Sequence, residues 1–333
     1  MKKHFTTWLI AGLFLHLAHS QTLYVKDGAT GDGYSWESPL GNLQKALRIA
    51  APGAQIWVAQ GNYLPVDCIE CSPLERAIAF EIPASVRLYG GFKGTESSLE
   101  ERDWKSNPTI LSGNIGRADC YDNSQTVVRF ENVPETTVLD GFFILNGHAE
   151  QEGRPGNPCR SGAGVFNHCS NKGGRSNPLI QHCIFMDNYA WEGAAIFNFS
   201  EKGNAGATIK NCFFVKNESK LAGGAVLDNI VAGTGHSSIY SCRFVNNTAA
   251  FGGAYFCNGA SAGVEVFSNC TFINNRSGFG GAAFLLTGGE KLDQWGLGCI
   301  FKDNHAREGN DFFFQEGFQL PASLEGLTET KGL

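Results

Sequence analysis

The sequence has few charged residues and few long apolar runs, and both shortages exclude classes of protein. Only 17% of the 333 residues are charged, and the formal net charge is −6. Such a composition does not supply the broad basic face that neutralises phosphate groups, so we expect no binding to nucleic acid. A membrane-spanning helix needs about 20 consecutive apolar residues. No stretch reaches that length, so we expect no transmembrane span in the mature chain.

Glycine and phenylalanine are abundant, whereas methionine occurs only twice. The chain contains 42 glycines and 25 phenylalanines, and its glycine content is well above the average usage of about 7%. Glycine permits tight turns because it lacks a Cβ atom. The composition therefore indicates many sharp corners around a core filled with aromatic rings.

Residues 1–20 have the three parts of an export signal. Basic residues at Lys2 and Lys3 are followed by an apolar run from Trp8 to Leu17 and by the small-x-small sequence Ala18-His19-Ser20. This order is typical of a cleaved secretory signal. We therefore predict export, with the mature chain starting near residue 21 and located at the cell surface, in the periplasm or outside the cell.

The region 179–314 repeats one unit five times. Each unit reads Cys-x-Phe-x-x-Asn, followed by a short spacer and a Gly-Ala step, and successive cysteines are 29, 30, 28 and 29 residues apart. The cysteines are Cys183, Cys212, Cys242, Cys270 and Cys299. The asparagines are Asn188, Asn217, Asn247, Asn275 and Asn304. A fixed period of this length is typical of a solenoid or propeller.

The unit predicts an all-β, right-handed parallel β-helix with three short strands per turn. A bend just before each Cys brings the apolar residue three positions earlier onto the same inner face as the Cys, and Asn tolerates the left-handed conformation that this bend needs. Parallel crossover connections are overwhelmingly right-handed. We predict a β-helix over 21–314, with regular repeats over 139–314 and a C-terminal tail over 315–333. Within the predicted β-helix, residues 21–65 form an N-terminal cap that contains an amphipathic helix.

The repeat cysteines and asparagines are predicted to form inward ladders. Stacked in register, the cysteines behave as small buried hydrophobes, although a ladder of disulfides is the alternative in an exported protein. The asparagines are expected to hydrogen-bond from turn to turn. Outside the repeats, Cys159 and Cys169 flank a glycine-rich strand and are candidates for a disulfide. Cys68 and Cys71 could bridge each other or pair with Cys120.

The strand after each Gly-Ala step is predicted to carry the ligand-facing residues. We assign one inward column to Val165, Ile196, Leu227, Phe256, Phe284 and Phe312. The outward band is then rich in aromatic rings, which can stack on sugars or be covered by loops or a partner. Its members are Phe166, Phe197, Asp228, Tyr255 and Phe313. An insertion near 147–160 forms a lip beside this band.

No catalytic arrangement is recognisable on that strand. Its two acidic outward residues, Asp228 and Asp311, lie three turns apart, or about 14 Å, which is too far for a glycosidase pair. A second group of charged residues falls near one corner of the solenoid: Asp187, Glu192, Glu218, Lys220 and Arg276. A site built from loops at such a corner is the remaining option for catalysis.

Two families share motifs with this chain. The pairing of Phe-x-x-Asn at 214–217 and 272–275 with Gly-Gly-Ala at 223–225 and 280–282 resembles the repeats of chlamydial polymorphic outer-membrane proteins. The front half, through Leu23-Tyr-Val-Lys-Asp-Gly-Ala and Tyr89-Gly-Gly-Phe, resembles exported bacterial β-helix proteins of the pectin-lyase-like superfamily. These resemblances imply secreted or surface proteins, with carbohydrate-active enzymes among their relatives.

The sequence therefore leaves two functions open. The first is binding of a polysaccharide or a surface protein without catalysis and without a cofactor. The second is a polysaccharide lyase or glycoside hydrolase with a loop-built active site, and only a lyase of this kind would need Ca²⁺ to neutralise its uronate substrate.

Overall fold

The chain is a parallel β-helix, as its repeat predicts. The computed structural model describes residues 21–66, 75–116, 119–231, 235–260, 266–287 and 296–316. Each regular turn contributes one strand to each of three long parallel sheets. The export signal, Cys68, Cys71 and most of the tail lie outside the described residues. No helix in the described ranges is long and apolar enough to cross a membrane.

The three sheets run the length of the solenoid. The first sheet contains Thr22–Val25, Gln55–Ala59, Arg87–Phe92, Val138–Asp140, Leu179–Gln181, Thr208–Lys210, Ser238–Tyr240, Phe267–Ser268 and Gly296–Leu297. The second sheet contains Gly61–Tyr63, Thr109–Ser112, Phe142–Leu145, Ile184–Met186, Phe213–Val215, Arg243–Val245, Thr271–Ile273 and Ile300–Lys302. The third sheet contains Phe80–Glu81, Val128–Glu131, Val165–Cys169, Ile196–Ser200, Val226–Ile230, Tyr255–Ala260, Ala283–Thr287 and Phe312–Glu316.

Shorter elements complete the fold. A corner sheet of three strands lies between the second and third sheets along the chain and contains His148–Ala149, Tyr189–Glu192 and Glu218–Ala222. A two-stranded sheet pairs Arg175–Ser176 with Asn204–Ala205. Leu99–Glu101 is a 3-10 helix.

The backbone turns at two fixed positions in every regular repeat. The residue before each repeat cysteine has a left-handed φ, between 51° and 54° at His182, Asn211, Ser241 and Asn269, and Gly298 takes the same place in the last turn. The residue before each repeat asparagine has φ between 53° and 56°, at Asp187, Lys216, Asn246, Asn274 and Asp303. Asn, Asp and His tolerate this region better than most side chains. The first bend is the one that the sequence predicts.

The interior is built from stacked side chains. The repeat phenylalanines stack face to face with ring centroids 4.7–5.0 Å apart, from Phe185 to Phe301. Beside them, Cys183, Cys212, Cys242 and Cys270 are free thiols that are at most 1% exposed, and Cys299 is half-buried. Burial raises the pKa of the Cys212 thiol well above its ordinary value, which keeps it protonated and unreactive.

The repeat asparagines form a continuous hydrogen-bonded column. The amide of each one donates to the Oδ1 atom of the asparagine on the next turn at 3.0 Å, from Asn188 through to Asn304. The backbone N–H of Asn217 donates to the same acceptor, Oδ1 of Asn247, also at 3.0 Å. Each buried amide therefore has partners on two turns, and the column holds adjacent turns in register.

The predicted N-terminal helix spans Leu43–Ile49. The side chain of Asn42 caps it by accepting a hydrogen bond from the backbone N–H of Lys45 at 2.9 Å. Its apolar stripe of Leu43, Ala46 and Leu47 is buried in the main core. That the helix seals the open end of the solenoid stays a prediction.

The predicted disulfide between Cys159 and Cys169 is wrong. Both residues are free thiols. Cys169 is the last residue of the strand Val165–Cys169, whereas Cys159 lies in the loop before that strand. The thiol of Cys120 is also free, and it is exposed.

Candidate functional site

The outer face of the third sheet, predicted to be an exposed aromatic band, is buried. Its outer column runs in register through Phe166, Phe197, Leu227, Phe256, Phe284 and Phe313. The first five of these side chains are at most 2% exposed, and Phe313 is half-buried. They pack with Leu221, Phe251 and Phe279, which reach over them from the corner of the solenoid. This outer aromatic cluster is a second hydrophobic core, and a ligand outside the molecule does not reach Phe166 or Phe197.

The predicted inward column of the third sheet is wrong at its third, fourth and fifth members, whereas Val165, Ile196 and Phe312 do face inward. The inward column is Val165, Ile196, Val226, Tyr255, Ala283 and Phe312. Leu227, Phe256 and Phe284 therefore face outward. Tyr255 and Asp228, predicted to face a ligand, point into the core and are 0% exposed. Each strand begins three residues after a glycine of positive φ, and this spacing sets the register.

Asp228 is a buried carboxylate that accepts four hydrogen bonds. It accepts hydrogen bonds from the Tyr255 hydroxyl at 2.6 Å, from the Ser237 backbone N–H at 2.7 Å, and from the Ser237 hydroxyl and the Asn198 amide at 2.8 Å each. Burial, and then the nearby carboxylate, raise the pKa of Tyr255 well above its ordinary value. The group ties adjacent turns together from inside and takes no part in an external site.

The corner between the second and third sheets presents a solvent-facing surface instead. After each asparagine the chain forms the corner sheet, and later turns continue it as single bridges. One in-register column contains His148, Tyr189, Glu218, Thr248, Arg276 and His305. Two residues further along lie Trp191, Lys220, Ala250, Gly278 and Arg307. These two columns together are called the corner face below.

Aromatic rings and cations stack at the N-terminal end of the corner face. His148 stacks on Tyr189 with centroids 4.8 Å apart and planes 18° from parallel. The Trp191 ring has the Arg160 guanidinium at 4.8 Å and the Lys220 ammonium at 3.6 Å from its centroid. Arg160 comes from the turn before and Lys220 from the turn after. The two cations thus fix the indole in place.

Two carboxylates at this end are held by arginines. Arg76 makes a bidentate pair with Glu150 at 2.8 and 2.9 Å. Glu192 is 0% exposed and accepts hydrogen bonds from Arg160 at 2.8 and 3.0 Å and from the Ser161 hydroxyl at 2.9 Å. Burial nevertheless raises the pKa of Glu192. Hydrogen bonds from Arg76 lower the pKa of Glu150 in spite of its burial.

The insertion near 147–160 builds this end of the site. Its Glu150 carbonyl accepts a hydrogen bond from the Trp191 indole N–H at 2.9 Å. Gly156 sits against the Phe199 ring so closely that a Cβ atom there would lie 2.5 Å from it. Part of the insertion therefore covers the outer aromatic cluster, and part of it lines the corner face.

The structure separates the charged residues that were predicted to share a corner. Glu218, Lys220 and Arg276 do lie on the exposed corner face, whereas Glu192 is buried beneath it and Asp187 lies at the left-handed turn. Sequence reasoning missed Tyr189 and Trp191. Their signal was available, because members of the two columns follow the repeat asparagines by one and three residues.

Another buried carboxylate, Asp140, lies where the first sheet meets the second. Asp140 accepts hydrogen bonds from Arg102 at 2.6 Å, Gln181 at 2.8 Å and His182 at 3.0 Å. Burial opposes its ionisation, but these bonds together lower the pKa of Asp140. With three donors on it, the carboxylate anchors the loop that carries Arg102. Nowhere in the described ranges do three His, Cys, Asp or Glu side chains form a group that could hold a metal ion.

Replacing Glu192 with glutamine should change how stability depends on pH. A carboxyl whose pKa is raised by folding contributes stability that is fully present below its unfolded pKa and is lost as pH rises through its folded pKa. Wild type should therefore lose free energy of unfolding, relative to Glu192→Gln, as pH rises above about 4.5. Urea denaturation at a series of pH values measures this slope.

Glu150→Gln is the matched control for that experiment. The pKa of Glu150 is lowered, so its contribution is present above the unfolded pKa and is lost as pH falls. The two variants should therefore diverge from wild type with opposite slopes. Equal slopes for the two variants would contradict the assignment of Glu192 as a buried carboxyl group whose pKa is raised by folding.

Comparisons with known proteins give the following. No family model and no curated protein matches the chain. Two solved structures do, both of the pectin methylesterase from Aspergillus niger. Its deglycosylated form is 12% identical, with 94% of this chain and 95% of that chain covered and a TM-score of 0.34. The penultimately deglycosylated form is 14% identical, with the same coverage and a TM-score of 0.32. Likenesses this distant carry no conclusion about activity or substrate.

Proposed function

We propose that the exported protein binds an acidic glycan along the corner face and does not alter it chemically. The observation that carries this proposal is a row of three exposed cations on the corner face. Lys220, Arg276 and Arg307 are exposed, and within the described part of the chain none of them forms an ion pair. Carboxylate or sulfate groups on a sugar would satisfy them through charge-assisted hydrogen bonds.

The shape of the corner face suits an extended chain. Between Lys220 and Arg307 the second column contains only Ala250 and Gly278, so the floor there is low. Trp191 lies at the N-terminal end of this column, in contact with Lys220. Successive turns lie about 4.8 Å apart, so the cations at Lys220 and Arg276 are spaced at roughly 10 Å along the axis. A linear polymer with repeated acidic groups matches such a row better than a compact ligand does.

The state of the carboxylates favours binding over hydrolysis. A glycosidase needs two carboxyl groups about 5–10 Å apart on the substrate side. Glu150 and Glu192 are each engaged by an arginine, and Glu192 is inaccessible. Glu218 is the exposed carboxylate between Tyr189 and Thr248 in its column.

The alternative is a polysaccharide lyase, and one observation favours it. Lys220 and Arg276 are side chains of the type that can take a proton from a uronate sugar, and they lie where the acidic groups would bind. Such an enzyme would need a partner charge, commonly Ca²⁺, to neutralise the uronate. Release of unsaturated uronate products would identify this activity.

The double variant Lys220→Ala/Arg276→Ala should bind acidic polysaccharides at least about tenfold more weakly, because two charge-assisted contacts are lost. Binding of polygalacturonate and of a sulfated glycan can be measured by titration calorimetry. Wild-type affinity should also fall as salt rises, since the contacts are exposed.

Lys210→Ala/Lys302→Ala is the matched control, because it removes the same charge from exposed positions on the first and second sheets. An equal loss of affinity in this control would point to general charge attraction instead of a site. Unsaturated or reducing-end products from wild type would replace the binding proposal with the enzymatic alternative.

A further inference from the structure

The outer face of the second sheet is apolar and flat. One in-register column on it contains Ile110, Phe143, Ile184, Phe213, Arg243, Thr271 and Ile300. The neighbouring column contains Leu145, Met186, Val215, Val245, Ile273 and Lys302. Ten of these thirteen members are apolar side chains that point away from the core.

This face is uncovered in the described part of the molecule. Its apolar side chains are half-buried by their neighbours in the sheet, and Ile300 is 60% exposed. None of them belongs to a hydrophobic cluster of the described residues. The outer face of the third sheet is equally apolar, but there the corner residues cover it. A continuous exposed apolar patch of this kind marks an interaction surface.

The dimensions of the face match a small protein–protein interface. Eight strands at about 4.8 Å give a length of roughly 34 Å, and five residue steps from His182 to Asp187 give a width of roughly 17 Å. The area is therefore about 570 Å² on one copy and about 1,100 Å² when two copies meet. A specific interface needs about 1,000 Å² or more. The flatness offers no pocket for a small ligand.

The charges on and beside the face favour a protein partner over an anionic surface. Arg243 and Lys302 lie on it, and the adjoining turns add Lys216, Asp187 and Asp303. The positive charges are thus nearly balanced by negative ones. A membrane surface rich in anionic lipids would instead select a basic rim.

We propose that this face pairs with the same face of a second copy, with the two solenoids antiparallel about a two-fold axis. Full overlap of the eight strands puts the axis between the strands Ile184–Met186 and Phe213–Val215. Ile184 then faces Phe213 of the other copy, and Arg243 faces Phe143. The two Arg243 side chains stay three turns apart, or roughly 14 Å. Self-complementary contacts of this type are what a two-fold dimer requires.

The pairing gives Arg243 a second aromatic partner. Its guanidinium already lies 5.8 Å from the centroid of the Phe213 ring in its own chain. The Phe143 ring of the other copy would cover the opposite side, and a desolvated cation on an aromatic face is stabilising. The proposal is independent of the glycan site, because the corner face lies on the other side of the asparagine turn.

Sedimentation velocity of the purified full chain tests the dimer. At about 100 μM the wild type should sediment as a dimer if its dissociation constant is micromolar. Ile184→Glu/Phe213→Glu buries four carboxylates in the interface of the pair, and should raise the dissociation constant at least 100-fold. Tyr240→Glu/Leu297→Glu is the matched control on the first sheet, where both side chains are exposed, and it should remain dimeric.

Folding controls and a crosslinking experiment complete the test of the dimer. Circular dichroism and thermal unfolding establish that each variant is folded, and Thr271→Arg supplies a milder disruption if the double variant is not. A photo-crosslinker at position 143 should join the peptide that contains Arg243 of the other copy. A wild type that is monomeric at 100 μM, a dimer that persists in both interface variants, or a crosslink to another peptide would overturn the proposal.

Discussion

Replacing Asn247 with alanine should lower the free energy of unfolding by about 3–5 kcal/mol. Four buried groups lose a partner. The Asn217 backbone N–H and side-chain amide each donate to the Asn247 oxygen at 3.0 Å. The Phe214 carbonyl and the Asn275 Oδ1 atom accept from the Asn247 amide at 2.9 and 3.0 Å. A buried polar group left unsatisfied costs about 1–3 kcal/mol. Urea denaturation followed by circular dichroism measures the change.

The neighbouring Asn246 provides the control for that prediction. It is exposed and has φ of 56°, a conformation that glycine adopts readily. Asn246→Gly should therefore stay within about 0.5 kcal/mol of wild type. If both variants lost the same stability, the buried column would not be what distinguishes the two adjacent asparagines.

Phe244→Ala should be destabilising by about 3–5 kcal/mol, as is typical of a buried Phe→Ala change. The ring is fully buried and stacks at 4.7 Å on Phe214 before it and on Phe272 after it. The rigid strands on both sides cannot collapse into the space that the ring leaves. The loss can be read from the shift in the denaturation midpoint at unchanged slope.

Phe213→Ala is the matched comparison, because Phe213 precedes an inward phenylalanine on its own strand but faces outward. It is half-buried, and the Arg243 guanidinium lies 5.8 Å from the centroid of its ring. Its removal should cost about 1 kcal/mol or less in the monomer. Equal costs for the two phenylalanines would mean that inward and outward positions on the second sheet have been exchanged.

The period of the repeat was enough to predict the architecture. The spacing of Cys183 and its equivalents fixes one turn, and the alternation of Cys and Phe assigns one face of the second-sheet strand to the core. The bend before each cysteine also follows from the sequence, because two apolar residues three positions apart must both point inward. Local rules and the repeat agree here, so the prediction is robust.

The third sheet could not be predicted in the same way. Both of its faces are buried, so its strands read as continuous apolar runs without alternation. The sequence-based prediction placed Leu227, Phe256 and Phe284 inward, which shifts the register by one residue in those three turns. A one-residue slip moves every side chain to the other face. Counting three residues from the left-handed glycines, such as Gly223, gives the correct register.

The corner face was hard to find for a different reason. Its columns have a fixed position relative to the repeat asparagines but no fixed residue type, so Tyr189, Glu218 and Arg276 do not look equivalent. The arginine that holds Glu150 comes from 74 residues away in the sequence. Contacts at that distance depend on the fold and leave no local pattern.

The asparagine column also bears on how such a molecule can change in length. Each turn touches only the turns on either side, and the asparagines of neighbouring turns offer the same donors and acceptors. Removing one whole turn, for example by joining Asn217 directly to the residue after Asn247, would bring equivalent backbone positions together and restore the same bonds. The scaffold therefore tolerates the insertion or deletion of whole turns, whereas it does not tolerate the insertion or deletion of a few residues within a strand.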